Sequence, residues 1–518
     1  MVVVEDLLNS GNVTAPDSMT QTVAPALISV NMLAPRTPRL CSRVWPSFRV
    51  VGTRNISSNQ HKDADGPIYP EGAFAQDASF FSDLARRFIK FSAIGTCALA
   101  AIGWGAFEGT QMWVEHVEFA SDKDQDARSW EWHLEPDNWG ETDPALGYKG
   151  RHSIRAAWMA MNWGSGRSGS LTNEAASGTG GFSVVNTDLA RANEFLNTAV
   201  SIAEPRSASN ILKPQTMATL LAQHGYVLER MNDALQAKAQ YTRSWASAPG
   251  KGHLATYVAA RLGDINRRLG LSNDALAWWS RAICIMQPSE PALATETPII
   301  PKTIPSSPFD QRVLASILVS LSAFYATSGH LQEAQAVEED SLRLLRSIPI
   351  PDTLTSATPA QALHSLFILH RASLLSIHLA EVLHSRQNTS SMVLQWLSNA
   401  AESSERVALI LADAPMDNTK HRPPQLISSD AKPPTAYLSS RSLRRPASNL
   451  LRDARRTAVE AWSLMGILTE DSNPKEALQY YERAILCAGD SLDDARQELP
   501  ESEWRSLHRN YSRLRGKM

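Results

Sequence analysis

In the C-terminal two-thirds of the chain, small and apolar residues return at helical spacing, and they do so in pairs of segments. Around Ala218 to Lys251, Gly225 is followed by Ala237 twelve residues on, Tyr241 four further, Ser244 three further and Pro249 five further. Small residues at these offsets let two helices cross closely, the ring fills the gap between them, and the proline ends the second helix. The frame returns at Leu262, Gly263, Ala275, Trp279 and Ala282, then at Leu321, Ser322, Tyr325, Ala334 and Ser341, and last at Leu464, Ala477, Tyr481 and Ala484. Ala192, Leu196 and Ala199 take second-helix positions ahead of the first copy, and Ala362 to His384 with Ser391 to Leu411 form a less regular pair after the third. The pattern predicts an all-α fold of five or six helical hairpins.

These units resemble the tetratricopeptide (TPR) repeat of about 34 residues, which cannot bury its apolar face alone and stacks into a solenoid. The expected architecture is a TPR-like helical-hairpin solenoid over residues 182–490, preceded by a single transmembrane helix. Proline-rich insertions interrupt it near 287–310 and 414–446. The second carries Arg441, Arg444 and Arg445 and reads as a solvated basic loop. Residues 491–518 read as a C-terminal basic helix, the polar end that a solenoid needs for solubility; its basic face is also suited to the acidic segment described below or to anionic lipid.

The transmembrane helix is expected at 86–108. Phe91 to Phe107 contains no charge, and adding Phe88 to Lys90 brings the stretch to 20 residues. At about 1.5 Å per residue it reaches roughly 30 Å, the hydrocarbon thickness of a bilayer. Ala93, Cys97, Ala101, Gly105 and Gly109 recur every four residues. Such a stripe either admits a neighbouring membrane helix or merely keeps hydrophobicity moderate. Arg86, Arg87 and Lys90 precede the span while Glu108, Glu115 and Glu118 follow it, which orients the N-terminus toward the positive-inside compartment.

Residues 1–80 read as a disordered N-terminus. Met19 to His61 holds five arginines and no acid, as a mitochondrial presequence should. Glu5, Asp6 and Asp17 would spoil such a signal, so the true start is expected at Met19 or Met32. The N-terminus then lies in the matrix and the repeats in the intermembrane space. Residues 109–163 are acidic and tryptophan-rich: six of the fourteen tryptophans fall between Trp113 and Trp163. They serve either as a docking patch or to pack this region onto the repeats. Gly164 to Gly181 lacks the GK[ST] ending of a phosphate loop and reads as a Gly/Ser linker over 164–181.

No enzyme signature is present: no HExxH, GxSxG, P-loop or Rossmann fingerprint. The four cysteines have no metal or disulfide spacing, so no metal, cofactor or catalytic residue is expected, nor a nucleic-acid partner. His364, His370, His378 and His384 cluster without acidic or cysteine companions and read as core or interface residues. The clamp by which some TPR domains hold a C-terminal carboxylate needs Lys and Asn where this chain has Ala222, Tyr226 and Arg261.

The order of presequence, span beginning RRFIKFSAIGTCALAAIGWGAFEGTQMWVEHVE, segment SWEWHLEPDNWG followed by DPALGYKGRHSIRAAWMAMNWG, and repeats resembles fungal mitochondrial inner-membrane TPR proteins that serve as the substrate adaptor of the i-AAA protease. The resemblance implies a non-catalytic role in protein quality control, with protease subunits and unfolded or membrane protein clients as partners. A structural scaffold or assembly factor of an inner-membrane complex is the alternative. By repeat position, Tyr226, Arg230, Arg261 and Tyr325 on the first-helix surface are expected to contact substrate.

Overall fold

The hairpin turns show why the chain doubles back where it does. A computed structural model describes residues 71–131, 139–164, 170–173, 182–185, 187–247, 252–287, 298–349, 357–414, 431–489 and 501–517. The presequence and start-site expectations, and the middles of the Gly/Ser and proline-rich stretches, lie outside these residues. The chain divides into two units, 1–103 and 104–518. In the first, the described residues belong to helix α1 (Glu71–Trp113), whose side chains from Phe80 to Gly103 are all exposed.

In the second unit, α1 ends and a π-helical turn (Val114–Glu118) follows, then α2 (Gln125–Arg128), a 3-10 turn (Pro144–Leu146) and α3 (Gly147–Trp163). Next come α4 (Thr187–Ala208), α5 (Pro214–Arg230), α6 (Ala234–Ser247), α7 (His253–Arg268), α8 (Ser272–Met286), α9 (Pro308–Thr327), α10 (Leu331–Arg346), α11 (Pro359–Ser385) and α12 (Ser390–Leu411). After α13 (Thr435–Leu438), the hairpin of α14 (Arg441–Thr469) and α15 (Pro474–Ala488) is covered by α16 (Glu501–Arg515). The packed body is all-helical. A short ribbon is also present: β1 (Ser170–Asn173) pairs antiparallel with β2 (Phe182–Val185). It occupies part of the stretch expected to be a linker, where strand-favouring Leu171, Thr172, Phe182, Val184 and Val185 flank the glycine run.

Prolines start α5, α9, α11 and α15, where the missing N–H costs nothing, and Thr358 with Gln361 closes a capping box on α11. The first helices α5, α7, α9 and α11 each end on a residue of positive φ: Asn232, Gly270, Gly329 and Gln387. The following N–H reaches back to a carbonyl of the last turn, as in Leu271 to Asn266 at 2.8 Å and His330 to Tyr325 at 3.0 Å. Each turn thereby reverses the chain, and the pairs α5/α6, α7/α8, α9/α10, α11/α12 and α14/α15 pack antiparallel in chain order.

Between paired helices the expected small-to-ring contact forms. Gly225 faces Tyr241, Gly263 faces Trp279 and Gly466 faces Tyr481, and all three rings are fully buried. A Cβ on Gly263 would lie 2.3 Å from Trp279 Cδ1. Burying such rings contributes a few kcal/mol each, on the order of 25 cal/mol per Å² of apolar surface. The third hairpin departs from this: Glu338 stands at the ring position and bonds Ser322, which stands at the glycine position.

The basic loop expected through residue 446 is corrected. Arg441, Arg444 and Arg445 open α14, where Leu443, Ala447, Leu450 and Leu451 are buried at helical spacing. Pro446 removes one intrahelical bond near the helix start, a local cost that the apolar face outweighs. On α16, Trp504, Leu507 and Leu514 are buried on the last hairpin, and Arg513 pairs with Glu470 at 2.6 Å.

Gly263→Ala is expected to destabilise the protein by about 1–3 kcal/mol through overpacking. Gly225→Ala, with its Cβ 3.0 Å from Tyr241, should fall near neutral, because alanine recovers up to about 1 kcal/mol of helix propensity. Urea midpoints of the two variants check the order.

Candidate functional site

The acidic charge of residues 109–143 is placed by the helix ends it meets. Unpaired N–H groups make a helix N-terminus partly positive and favourable to carboxylates. Asp122 Oδ2 accepts from the Ser440 hydroxyl at 2.7 Å and the Ser442 amide at 3.4 Å, at the start of α14. Burial raises the Asp122 pKa, but these bonds outweigh it and hold the carboxyl below its ordinary value. Asp126 Oδ2 accepts from Thr358 and Gln361 at the start of α11, and Asp143 Oδ2 from Thr216 at the start of α5, at 2.8 Å. One segment thus joins the first helices of the first, fourth and last hairpins.

Aromatic contacts lie along the same path. Trp130 is buried, its indole N–H donates to the Ala360 carbonyl at 3.3 Å, and the Arg312 guanidinium stacks on its ring at 3.9 Å. Arg312 also donates to the Ser129 carbonyl at 2.5 Å. Gln223 of α5 donates to the Trp139 carbonyl at 3.2 Å. Trp139 and Trp158 are buried around Phe119. Of the two roles left open for these tryptophans, Trp130, Trp139 and Trp158 pack the segment onto the hairpins, while Trp113 and Trp163 stay half-exposed.

At its beginning the segment is held by Glu115. Its carboxylate accepts from the Thr142 amide and hydroxyl, from Arg151 at 3.2 Å and from Arg155 at 2.7 Å. Burial raises the Glu115 pKa; the Thr142 bond and the Arg155 charge prevail and hold it below the ordinary value.

The expected substrate-contact residues are only partly available. Tyr226 is buried, with the exposed Arg230 guanidinium 5.8 Å from its ring centre. Arg261 of α7 is bound to Glu229 of α5 at 2.6 Å, and Glu229 also holds Arg268 at 2.9 Å. Burial would lower the Arg261 pKa, but Glu229 holds it well above the usual guanidinium value. Tyr325 sits apart from them on α9, edge-on to Phe324 and His330. The small-residue stripe from Ala93 to Gly109 is exposed along α1, and a Cβ on Gly105 or Gly109 would meet nothing.

Sequence spacing missed one polar cluster. Ser322 Oγ donates to Glu338 Oε1 at 2.7 Å and lies 3.1 Å from His378 Nδ1, joining α9, α10 and α11. Glu338 is fully buried and its Oε2 has no partner. Burial pushes its pKa up to about 8 and that of His378 down to about 4. The signal was Glu338 standing where the other copies carry a ring. His364 meets Gln311 and Arg312, His370 meets Thr457, and His384 is exposed, so the four histidines point to separate neighbours. Among the described residues no group of His, Cys, Asp or Glu is arranged to hold a metal ion.

No protein-family model matches this chain, and no curated protein does. The fold itself defines a helical array of antiparallel hairpins, and among the described residues two helices are long and apolar enough to cross a membrane. One of these, α11, is a mostly buried core helix; the other is α1 with the turn that follows it, over Phe80–Glu118.

Glu115→Gln is expected to cost about 3–5 kcal/mol by leaving Arg155 buried without its carboxylate, and Glu115→Leu with Arg155→Met should recover part of it; thermal unfolding of the three proteins checks this. Because Glu338 binds its proton more tightly in the folded chain, its contribution is full below about pH 4.5 and is lost as pH rises toward about 8. The buried neutral His378 acts oppositely, its contribution present above about pH 6.5 and lost as pH falls toward about 4. Glu338→Gln should therefore gain in relative stability as pH rises from 5 to about 8.5, read as a widening difference in Tm from the parent.

Proposed function

We propose that this chain is a non-catalytic adaptor of the TPR type, anchored in the mitochondrial inner membrane by α1, that binds unfolded or membrane protein substrates and presents them to the i-AAA protease. The observation that carries the reading is α1 itself: Phe88, Ile89, Phe91, Ile94, Leu99 and Ile102 all lie on an uncovered surface, and an aqueous setting would penalise each of them. Support also comes from the small-to-ring register of Gly225, Gly263 and Gly466, from the basic flank at Arg86, Arg87 and Lys90, and from the resemblance carried by the span and the segment after it. The hairpins then face the intermembrane space, with clients meeting exposed Arg230 and half-buried Tyr325.

A second reading, a structural scaffold or assembly factor of an inner-membrane complex, is favoured by one observation. The starts of α5, α11 and α14 are bonded by the chain's own Asp143, Asp126 and Asp122, which narrows the surface open to an unfolded client. Purification of C-terminally tagged protein from mildly solubilised mitochondria, with mass spectrometry of co-purifying chains, separates the two. The adaptor predicts an AAA protease with assorted inner-membrane clients; one native complex without the protease would overturn it in favour of the scaffold.

A further inference from the structure

Phe107, Met112, Trp113, Tyr148 and Trp163 are between 44% and 56% exposed, and all belong to the end of α1 or to α3. All but Met112 are held by ring contacts. The Phe107 and His152 rings stack 5.8 Å apart, Trp113 and Trp163 lie 5.6 Å apart, and Trp163 meets Trp158 edge-on at 5.7 Å. Glu108 accepts from the Tyr148 hydroxyl and lies 3.3 Å from His152 Nε2, so its charge is engaged inside the group. An open groove of about 530 Å³ runs beside the two exposed indoles, lined by Ala106, Gly109, Thr110, Trp113 and Trp163. Elsewhere on the hairpins, large exposed apolar residues such as Leu235, Leu271, Met392 and Ile467 are scattered through different helices.

We infer that the end of α1 and the outer rings of α3 form a collar that contacts the headgroup and upper acyl layer of a phospholipid bilayer. This rests on the reading of α1 as a membrane span. Three observations select lipid as the occupant. Tryptophan and tyrosine pair an apolar body with a polar tip, the character favoured at membrane interfaces. The rings follow the apolar stretch directly in sequence. From Phe107 to Trp113 a helix rises about 9 Å, comparable to the polar layer on one side of a bilayer, roughly 5–8 Å. With α3 bound to the end of α1 through Glu108 and to the turn after it through Glu115, the collar gives the hairpins a fixed stance on the membrane in place of a free tether.

The test uses the full chain in phosphatidylcholine and phosphatidylethanolamine vesicles, with the photo-cross-linker p-benzoylphenylalanine placed singly at Tyr148, Trp163, Leu99 or Leu235. Phospholipid adducts at Tyr148 and Trp163 are expected several-fold above Leu235 and comparable to Leu99, which reports the span. If Leu99 labels lipid while Tyr148 and Trp163 stay at the Leu235 level, or label a second protein copy instead, the collar is overturned and the span stands. If Leu99 also fails to label lipid, the span reading fails and the collar with it. Circular dichroism of each variant confirms that the hairpins remain folded.

Discussion

In three of the hairpins, two antiparallel helices approach closely because one has a glycine at the crossing and the other supplies a ring to fill the space. Gly263 against Trp279 is the tightest case, and Gly225 with Tyr241 and Gly466 with Tyr481 repeat it. The positive-φ ends of α5, α7, α9 and α11 bring the helices into that register. Because each hairpin has an apolar outer face as well, closing one pair creates the surface on which the next must stack. Two of the three core clusters contain these rings, Tyr241 and Trp279 in one and Tyr481 in another, while the third gathers around Phe119, Trp139 and Trp158.

The acidic segment adds a second level of order. A stack of hairpins has interactions mainly between neighbours, and such arrays unfold piecemeal when an interface weakens. Asp143, Asp126 and Asp122 reach helix starts far apart in sequence, and Trp130 with Arg312 seals the path between them. Contacts of this range tie the first hairpin to the last, so the array is stabilised against local opening. The carboxylates of this segment are thus engaged at helix starts, which shifts any search for client contacts toward groups left exposed, such as Arg230.

The sequence was most readable where local geometry has a fixed spacing. The offsets from Gly225 to Tyr241 and from Gly263 to Trp279 are set by helix rise and crossing, so both the pairing and the buried rings were foreseeable. At Arg444 and Arg445, proline and charge mask the buried helical period of Leu443, Ala447, Leu450 and Leu451. The cluster around Glu338 was hidden for a different reason. Its partner Ser322 comes from α9, and Ser322 in turn meets His378 of α11; no spacing rule along one chain brings these three helices together.

By itself the sequence determined that the chain is helical, that its helices pair, and that one apolar stretch carries no polar face with which to pack. Each of these depends on neighbours within about one turn or one hairpin, where bond geometry and side-chain size suffice. Only the tertiary structure decided which charges are spent and which remain. Arg261 is neutralised by Glu229 and Glu115 by Arg155, while the aromatic rings at the end of α1 are left outside. Electrostatic pairing and burial depend on distance in space, and distance in space is known only after the hairpins have closed.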